Sequence, residues 1–214
     1  HNSIGGYHAA KPRRYQELYD FHIGKNNIDV LNMLNTKYFI FPGENNIETV
    51  QLNDEANGNA WFVNEIVFAD TANEEIKALD SLDTKKKVVL NQVFESNLNQ
   101  FSFQSDTLAK IELQSYKANE MNYKSVSTID QLAVFSEIYY EDGWNAYIDG
   151  QLVPHMRANY VLRSLLIPAG EHDIVFKFEP KVIATGNMIS LISYGFLLLI
   201  PLGWYLKERK KKTD

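Results

Sequence analysis

Residues 182–206 read VIATGNMISLISYGFLLLIPLGWYL, 25 consecutive residues without a charged side chain. At about 1.5 Å rise per residue, a helix of this length spans about 37 Å, which is enough to cross a hydrocarbon core of about 30 Å with some tilt. The alternative is a buried core helix, but a helix that is apolar all round needs a large surrounding domain. We therefore predict a transmembrane helix over 182–206.

Basic residues follow the apolar stretch at once, at Lys207, Arg209, Lys210, Lys211 and Lys212. The positive-inside rule assigns such a cluster to the cytoplasm, and Trp204 stands where an interfacial aromatic belt is expected. We predict that residues 207–214 form a basic cytoplasmic tail. Residues 1–180 are then expected on the extracytoplasmic side of the membrane.

The composition narrows the choice of partners and of chemistry. Positions 1–206 hold 16 basic against 25 acidic residues, which argues against nucleic acid and against anionic lipid as partners. The chain has no cysteine, its five histidines form no i, i+4 pair, and it contains no phosphate-binding glycine loop, HExxH or GxSxG motif. We expect no metal, no cofactor and no catalytic residue in this chain.

The first 36 residues predict a membrane-proximal helical segment. Apolar and aromatic residues share a face after Pro12, and a second short helix is predicted over 28–34. The opening HNSIGGYH has neither the charged nor the apolar region of a signal peptide. Because the bulk of the chain must nevertheless be exported, we expect the C-terminal part of a larger protein, with upstream transmembrane helices as partners.

Residues 37–180 predict a β-rich domain. TKYFIFPG (36–43) predicts a buried strand, and WFVNEIVF (61–68) another. From residue 109 the period changes to two, which indicates an antiparallel sheet with one wet face. Two hairpins are predicted, one with a tight turn at Asp149-Gly150 and one around residues 168–170.

The fold class that follows is mainly β. We predict an extracytoplasmic antiparallel β-sandwich with short N-terminal helices, followed by one C-terminal transmembrane α-helix. The predicted boundaries are 1–36 for the helical segment, 37–180 for the sandwich, 182–206 for the membrane helix and 207–214 for the tail.

The densest polar stretch, SIGGYHAAKPRRYQEL (3–18), is the first candidate site. Glycine amides can approach a ligand closely, arginines can pair with phosphate oxygens, and the aromatic side chains can stack on a sugar. The residues concerned are Gly5, Gly6, Tyr7, His8, Arg13, Arg14 and Tyr15. The alternative is structural: a glycine turn that leads into the basic start of a helix.

The second candidate site lies in EDGWNAYIDG (141–150) and HMRANY (155–160). Aromatic rings surrounded by hydrogen-bonding groups often hold carbohydrate. Trp144 with Tyr147 and Tyr160 would form the platform, and Asp149, Arg157 and Asn159 the polar groups around it. The structural alternative is favoured here, because aromatic residues in strands usually belong to the core and Asp-Gly usually forms a turn.

Four segments carry a resemblance to a known family: SIGGYHAAKPRRYQEL, VLNMLNTKYFI, NGNAWFV and FSEIYYEDGWNAYIDGQLVPHMRANYVLRSLLIPAGEHDIVFKFEP. They resemble the C-terminal region of the YfhO family of bacterial membrane proteins, in the form found in Bacteroidetes-like bacteria. The resemblance implies a polytopic GT-C-type protein of the bacterial inner (cytoplasmic) membrane. It also implies transfer of a sugar from a polyprenyl-phosphate carrier to a cell-envelope acceptor, by a catalytic carboxylate in an early outer loop.

Two functions stay open at this point. In the first, the chain is the accessory domain and terminal anchor of a lipid-linked glycosyltransferase, with the opening stretch over the lipid-phosphate site. In the second, it is a non-enzymatic, membrane-tethered β-sandwich that binds envelope glycan or supports a membrane complex.

Overall fold

The computed structural model describes residues 3–6, 10–43, 48–98 and 106–211. Four α-helices lie at α1 Arg13–Phe21, α2 Ile28–Met33, α3 Ala72–Ala78 and α4 Lys181–Lys211. Short 3-10 helices cover Ile23–Lys25 and Gln92–Leu98. Five strands precede the second of these, at β1 Tyr38–Pro42, β2 Glu48–Leu52, β3 Ala60–Val63, β4 Glu65–Ala69 and β5 Lys87–Asn91.

Eight further strands lead to α4, at β6 Lys110–Lys117, β7 Glu120–Ser127, β8 Gln131–Ile138, β9 Trp144–Ile148, β10 Gln151–Val153, β11 Met156–Ala158, β12 Leu162–Ile167 and β13 Gly170–Phe178. They confirm the predicted class, a β-sandwich with short N-terminal helices and one C-terminal apolar helix. One sheet has the order β10-β9-β13-β7-β6 and the other β3-β8-β12-β11-β5-β4, and within the described ranges β1 pairs only with β2.

The six-stranded sheet is buried on both faces. In β8, Leu132 and Val134 point into a cluster shared with helices α1, α2 and α3. The alternate residues Ala133 and Phe135 point into a second cluster between the two sheets. The predicted wet face is therefore wrong for β8, whose residues 131–135 are all buried, because a strand between two cores has no side left for water.

The segment predicted as one strand at 61–68 bends at Asn64. Its first half, β3, pairs with β8 at one edge of the sheet, and its second half, β4, pairs with β5 at the other edge. Since a single residue joins the two edges, the sheet must curl until they meet. The β4–β5 pair is parallel, which departs from the predicted all-antiparallel arrangement.

The Asp149-Gly150 hairpin is confirmed, because both residues have positive φ, 50° and 79°, and β9 pairs with β10 across them. The hairpin predicted around residues 168–170 is wrong. There β12 pairs with β8 and β11, whereas β13 pairs with β7 and β9, so the chain crosses from one sheet to the other.

The strand predicted as buried at 36–43 is also corrected. β1 is largely exposed, since its only sheet partner is β2 and one face of that pair has no cover among the described residues.

The apolar helix α4 begins directly after β13. Lys181–Trp204 has a mean hydropathy of 1.8 and none of it is buried against the rest of the described chain, which fits a span whose surroundings are lipid. At the junction the Glu179 amide donates to the Gly143 carbonyl at 2.6 Å. The last strand is thereby tied to the start of β9 just before the helix.

Gly143 is needed at this junction for two reasons. Its φ is +141°, and a Cβ would lie 2.7 Å from the Phe178 ring and 3.0 Å from Pro180. We predict that Gly143→Ala lowers the free energy of unfolding by about 2–3 kcal/mol, from strain together with a clash.

Gly58→Ala is the matched control, because Gly58 also has a positive φ, +91°, but no heavy atom lies within 4 Å of the place that a Cβ would take. Gly58→Ala should lower the free energy of unfolding only by the backbone strain, about 1 kcal/mol. Both values can be measured by thermal and denaturant unfolding of the detergent-solubilised protein. Equal losses for the two variants would remove the close approach of Phe178 and Pro180 as a constraint.

Candidate functional site: an arginine cleft

A cleft of about 200 Å³ brings the opening helix against the end of the six-stranded sheet. Its walls are formed by Pro12, Arg13, Arg14, Tyr15, Ile138, Tyr139, Arg157, Tyr160 and Val161. The cleft therefore unites three residues of the first predicted site with one polar residue of the second, Arg157. It also contains Tyr160, which was expected in an aromatic platform elsewhere.

The cleft lies at the end of the sandwich from which α4 leaves. β8 ends in it at Ile138, and residues 139–143 then lead straight to Trp144, which pairs with Phe178 at the end of β13. The opposite end is marked by the Ala169 amide, which donates to Asp130 Oδ1 at 2.9 Å and so joins the two connections between the sheets. We call the end that holds Ile138 and Phe178 the helix-proximal end.

A buried carboxylate holds the floor of the cleft together. Glu75 has a side-chain exposure of 3 %, and Arg14 Nη1 donates to its Oε2 at 3.0 Å. Its Oε1 accepts a hydrogen bond from Asn91 Nδ2 at 2.8 Å and lies 3.6 Å from Arg157 Nη2. Because an unpaired buried carboxylate is costly, these donors from α1, β5 and β11 stabilise one arrangement.

A second carboxylate, Glu17, lies near the rim. It accepts hydrogen bonds from the Tyr160 hydroxyl and, at 2.8 Å, from Arg13 Nε. These bonds lower the pKa of Glu17, while burial and the Glu17 bond raise the pKa of Tyr160 to about 12. Glu17 is therefore an ionised acceptor and Tyr160 a neutral donor at neutral pH.

The arginines differ in their freedom to meet a ligand. Arg14 is committed to Glu75, and its guanidinium lies 4.5 Å from the centre of the Tyr160 ring. The Arg13 side chain is 91 % exposed, and its ion pair with Glu17 holds it only weakly. Arg157 has a buried Nε without a hydrogen-bond partner in the described structure. The three cations exceed the two carboxylates by one charge, so the cleft suits an anion.

The glycine segment comes close to this cleft. Tyr15, which lines the cleft, donates its hydroxyl hydrogen bond to the Ile4 carbonyl at 2.7 Å, next to Gly5. The Gly5 amide donates to Ser3 Oγ at 3.2 Å, and Gly6 has a φ of +146°. Burial raises the pKa of Tyr15, which keeps it neutral. Tyr7 and His8 lie outside the described residues.

The structure does not assemble the second predicted site. Trp144 and Tyr147 stand three residues apart in β9 and so point to opposite faces, while Tyr160 belongs to the other core cluster. Asp149 joins its turn to β13 by accepting from the Asp173 amide at 2.9 Å. Asn159 is fully buried and accepts from the Val89 amide at 2.9 Å.

A polar group that the sequence patterns did not single out lies between the two sheets. Arg163 is 2 % exposed, its guanidinium stacks 4.1 Å from the Trp144 ring, and Nε donates to the Ile138 carbonyl at 3.0 Å. Burial lowers the pKa of Arg163 to about 10 and raises the pKa of Glu137. Trp144 is therefore packed on a buried cation and does not form an open sugar platform.

Metal binding has less support among the described residues. No group of three His, Asp or Glu side chains in the described ranges is placed to hold a metal ion. A shallow depression of about 520 Å³ lies at the helix-proximal end, between the β6–β7 turn and the end of β13.

Residues 16–190 match the family model described as "Bacterial membrane protein YfhO". The chain belongs to the YfhO family. No curated protein and no solved structure matches it. The YfhO match begins within α1 and runs through both sheets into α4, so the sandwich and the first part of the apolar helix lie within the family region. The cleft residues Pro12, Arg13, Arg14 and Tyr15 precede it.

We predict that Arg14 of this YfhO domain is needed for stability, whereas Arg13 is free for ligand contact and contributes little to stability. Arg14→Ala leaves the Glu75 carboxylate with weaker partners and should lower the free energy of unfolding by about 2 kcal/mol. Arg13→Ala removes only an exposed pair and should change it by less than about 0.5 kcal/mol. Denaturant unfolding measures both.

The double variant Arg14→Ala/Glu75→Gln supplies the control for the first effect. Because it removes the buried charge together with its partner, it should recover part of the lost stability. A double variant that is less stable than Arg14→Ala would contradict the assigned role of Glu75.

The two described histidines of the sandwich, His155 and His172, should act oppositely on the pH dependence of stability. Burial lowers the pKa of His155 to about 4, from about 6.5 in an unfolded chain. As the pH is lowered, the unfolded state therefore binds this proton before the folded state does. The free energy of unfolding falls between pH 6.5 and pH 4, by up to about 3 kcal/mol from this group. In the His155→Gln variant, the free energy of unfolding should therefore fall less between pH 6.5 and pH 4.

His172 Nδ1 donates a hydrogen bond to Asp149 Oδ2 at 2.6 Å, and this bond raises the pKa of His172. The stabilisation that protonated His172 contributes is present below pH 6.5 and is lost as the pH rises through the folded-state pKa. His172→Gln should therefore reduce stability at pH 5 and leave it unchanged at pH 8. Unfolding curves between pH 4 and pH 8 test both variants, and parallel profiles for the two would refute the assignment.

Proposed function

We propose that the chain is the extracytoplasmic domain and terminal anchor of a YfhO-type GT-C glycosyltransferase of the bacterial inner membrane, and that the arginine cleft binds the phosphate of a polyprenyl-phosphate-linked sugar. The observation that carries the proposal is the position of the cleft. Three arginines line it at the same end of the sandwich from which the apolar helix leaves. A lipid phosphate would stand near that level.

The orientation rests on charge. The basic residues from Lys207 onward follow the apolar helix, and the positive-inside rule puts such a cluster in the cytoplasm. The sandwich then lies outside, where lipid-linked sugars are transferred to envelope acceptors.

Within the cleft, Arg13 is the first contact for a phosphate oxygen, since it is exposed and its bond to Glu17 is readily exchanged. Arg157, whose side chain is 21 % exposed, adds a second guanidinium, and the half-buried Tyr139 ring offers an apolar surface against which a sugar ring can pack. Arg14 positions the site through Glu75.

Upstream transmembrane helices of the same protein are the proposed partners of α4. Gly186, Ser190 and Ser193 recur at spacings of four and three and so share one helix face, which suits close helix packing. Gly195 falls on the opposite face.

The second candidate function is binding without catalysis, and one observation favours it for this chain. Both carboxylates that contact the cleft's arginines are already engaged, Glu17 by Arg13 and Tyr160 and Glu75 by Arg14 and Asn91. Neither is placed as a free general base. A catalytic carboxylate would have to come from outside these residues, and an envelope glycan held without reaction is the alternative.

Binding of undecaprenyl phosphate to the detergent-solubilised protein tests the proposal. Arg13→Ala and Arg157→Ala should each weaken binding about tenfold, the loss expected for a charge-assisted contact. Lys77→Ala is the matched control, because Lys77 is an exposed cation on α3 outside the cleft, and it should bind as the wild type does.

Two further ligands distinguish the sources of affinity. Undecaprenol, which lacks the phosphate, should bind equally weakly to all variants, and inorganic phosphate should compete only at high concentration. Unchanged binding of undecaprenyl phosphate to Arg13→Ala and Arg157→Ala would return the cleft to a purely structural role. Binding that depends on the cleft without sugar transfer in membranes would favour the second function.

A further inference from the structure

The β1–β2 hairpin presents an apolar face that no described part of the chain covers. Its register pairs Tyr38 with Leu52 and Ile40 with Val50, so these four side chains share one face. They are 54 %, 56 %, 61 % and 59 % exposed. An exposed apolar cluster of this kind marks an interaction surface, since a two-stranded sheet gains little stability alone.

The two faces of the hairpin differ. Phe39 is partly buried and packs on the cluster of α1–α3 and the six-stranded sheet, which anchors the hairpin to the domain. Polar Gln51 lies opposite Phe39, and Thr49 opposite Phe41. Because side chains alternate along a strand, the Tyr38–Ile40 face turns away from the contact that Phe39 makes with the domain. Phe41, on the same face as Phe39 but nearer the tip, is 48 % exposed.

The base of the hairpin lies at the helix-proximal end. The Asn53 amide donates to the Lys37 carbonyl at 2.8 Å, and Asn53 Nδ2 donates to Asn32 Oδ1 at 2.8 Å. Next to Asn32, the Met33 carbonyl accepts from Ser136 Oγ at 2.6 Å. Ser136 stands two residues before Ile138, where β8 ends. The hairpin thus starts from the end of the sandwich that continues into the membrane helix.

We propose that this hairpin lies on the outer lipid surface, with the face formed by Tyr38, Ile40, Val50 and Leu52 in contact with the boundary between headgroups and acyl chains. These four side chains carry no charge, and the tyrosine is a residue typical of the membrane interface. Glu48 shares this face at the far end of the pair, opposite Pro42, so that end would stay at the level of the headgroups and the hairpin would not enter the acyl region tip first.

Lipid is favoured over a protein partner because the same end of the domain already meets the bilayer through α4. An acidic outer domain excludes attraction to anionic headgroups as the cause, so the contact is apolar. The surface would hold the sandwich at a fixed height and tilt above the membrane.

Site-directed fluorescence tests the proposal. The chain has no cysteine, so Ile40→Cys and Gln51→Cys each introduce a single site for the environment-sensitive fluorophore NBD, in a background without other cysteines. The labelled protein is reconstituted in phosphatidylcholine vesicles, with or without lipids brominated near the headgroup end of the acyl chains. We expect at least twofold quenching by brominated lipid at position 40 and none at position 51.

Val50→Cys is a second probe of the same face, since Val50 lies directly opposite Ile40, and it should be quenched to the same extent. A label at position 40 that aqueous iodide quenches and brominated lipid does not would show a solvated face and overturn the proposal. A label shielded from both quenchers would show that protein covers the face, from a second copy or from another segment, and would overturn it equally.

Discussion

The buried carboxylate of Glu75 is the contact on which the arrangement of the cleft depends. Arg14, Asn91 and Arg157 reach it from three elements that are far apart in the sequence. Because a carboxylate excluded from water must be paired, α1 cannot move away from β5 and β11 without leaving that charge unsatisfied. The same contact that fixes the opening helix also gathers positive charge into one place.

The membrane helix gives the sandwich two unlike ends. At the helix-proximal end, the last strand, the arginine cleft and the base of the exposed hairpin lie together. At the other end the hydrogen bond from Ala169 to Asp130 joins the two connections between the sheets, and the pair His172–Asp149 joins β13 to the β9–β10 turn. The helix-proximal end is therefore where the proposed lipid-borne ligand would reach the domain, and the cations of the cleft and the base of the hairpin lie there.

Local patterns in the sequence predicted much of the secondary structure. The helices α1 and α2, the alternating strands β6 and β7 and the Asp149-Gly150 turn all depend on residues close together in the chain. The errors fall where the partner is distant. Residues 168–170 have ordinary turn composition, yet β12 and β13 pair in different sheets, and β1 is apolar like a core strand although its outer face is uncovered.

The sequence alone determined the apolar span at the C-terminus, because uninterrupted hydrophobicity and a following basic cluster are local properties, and it determined the β-rich class through the period of two. It also singled out Arg13, Arg14 and Arg157, but in separate groups. Only the tertiary structure decided that these arginines meet and that Trp144 and Tyr160 do not. The physical reason is that strand order, and a buried acid 61 residues from Arg14 in the chain, place side chains in ways that spacing along the chain does not encode.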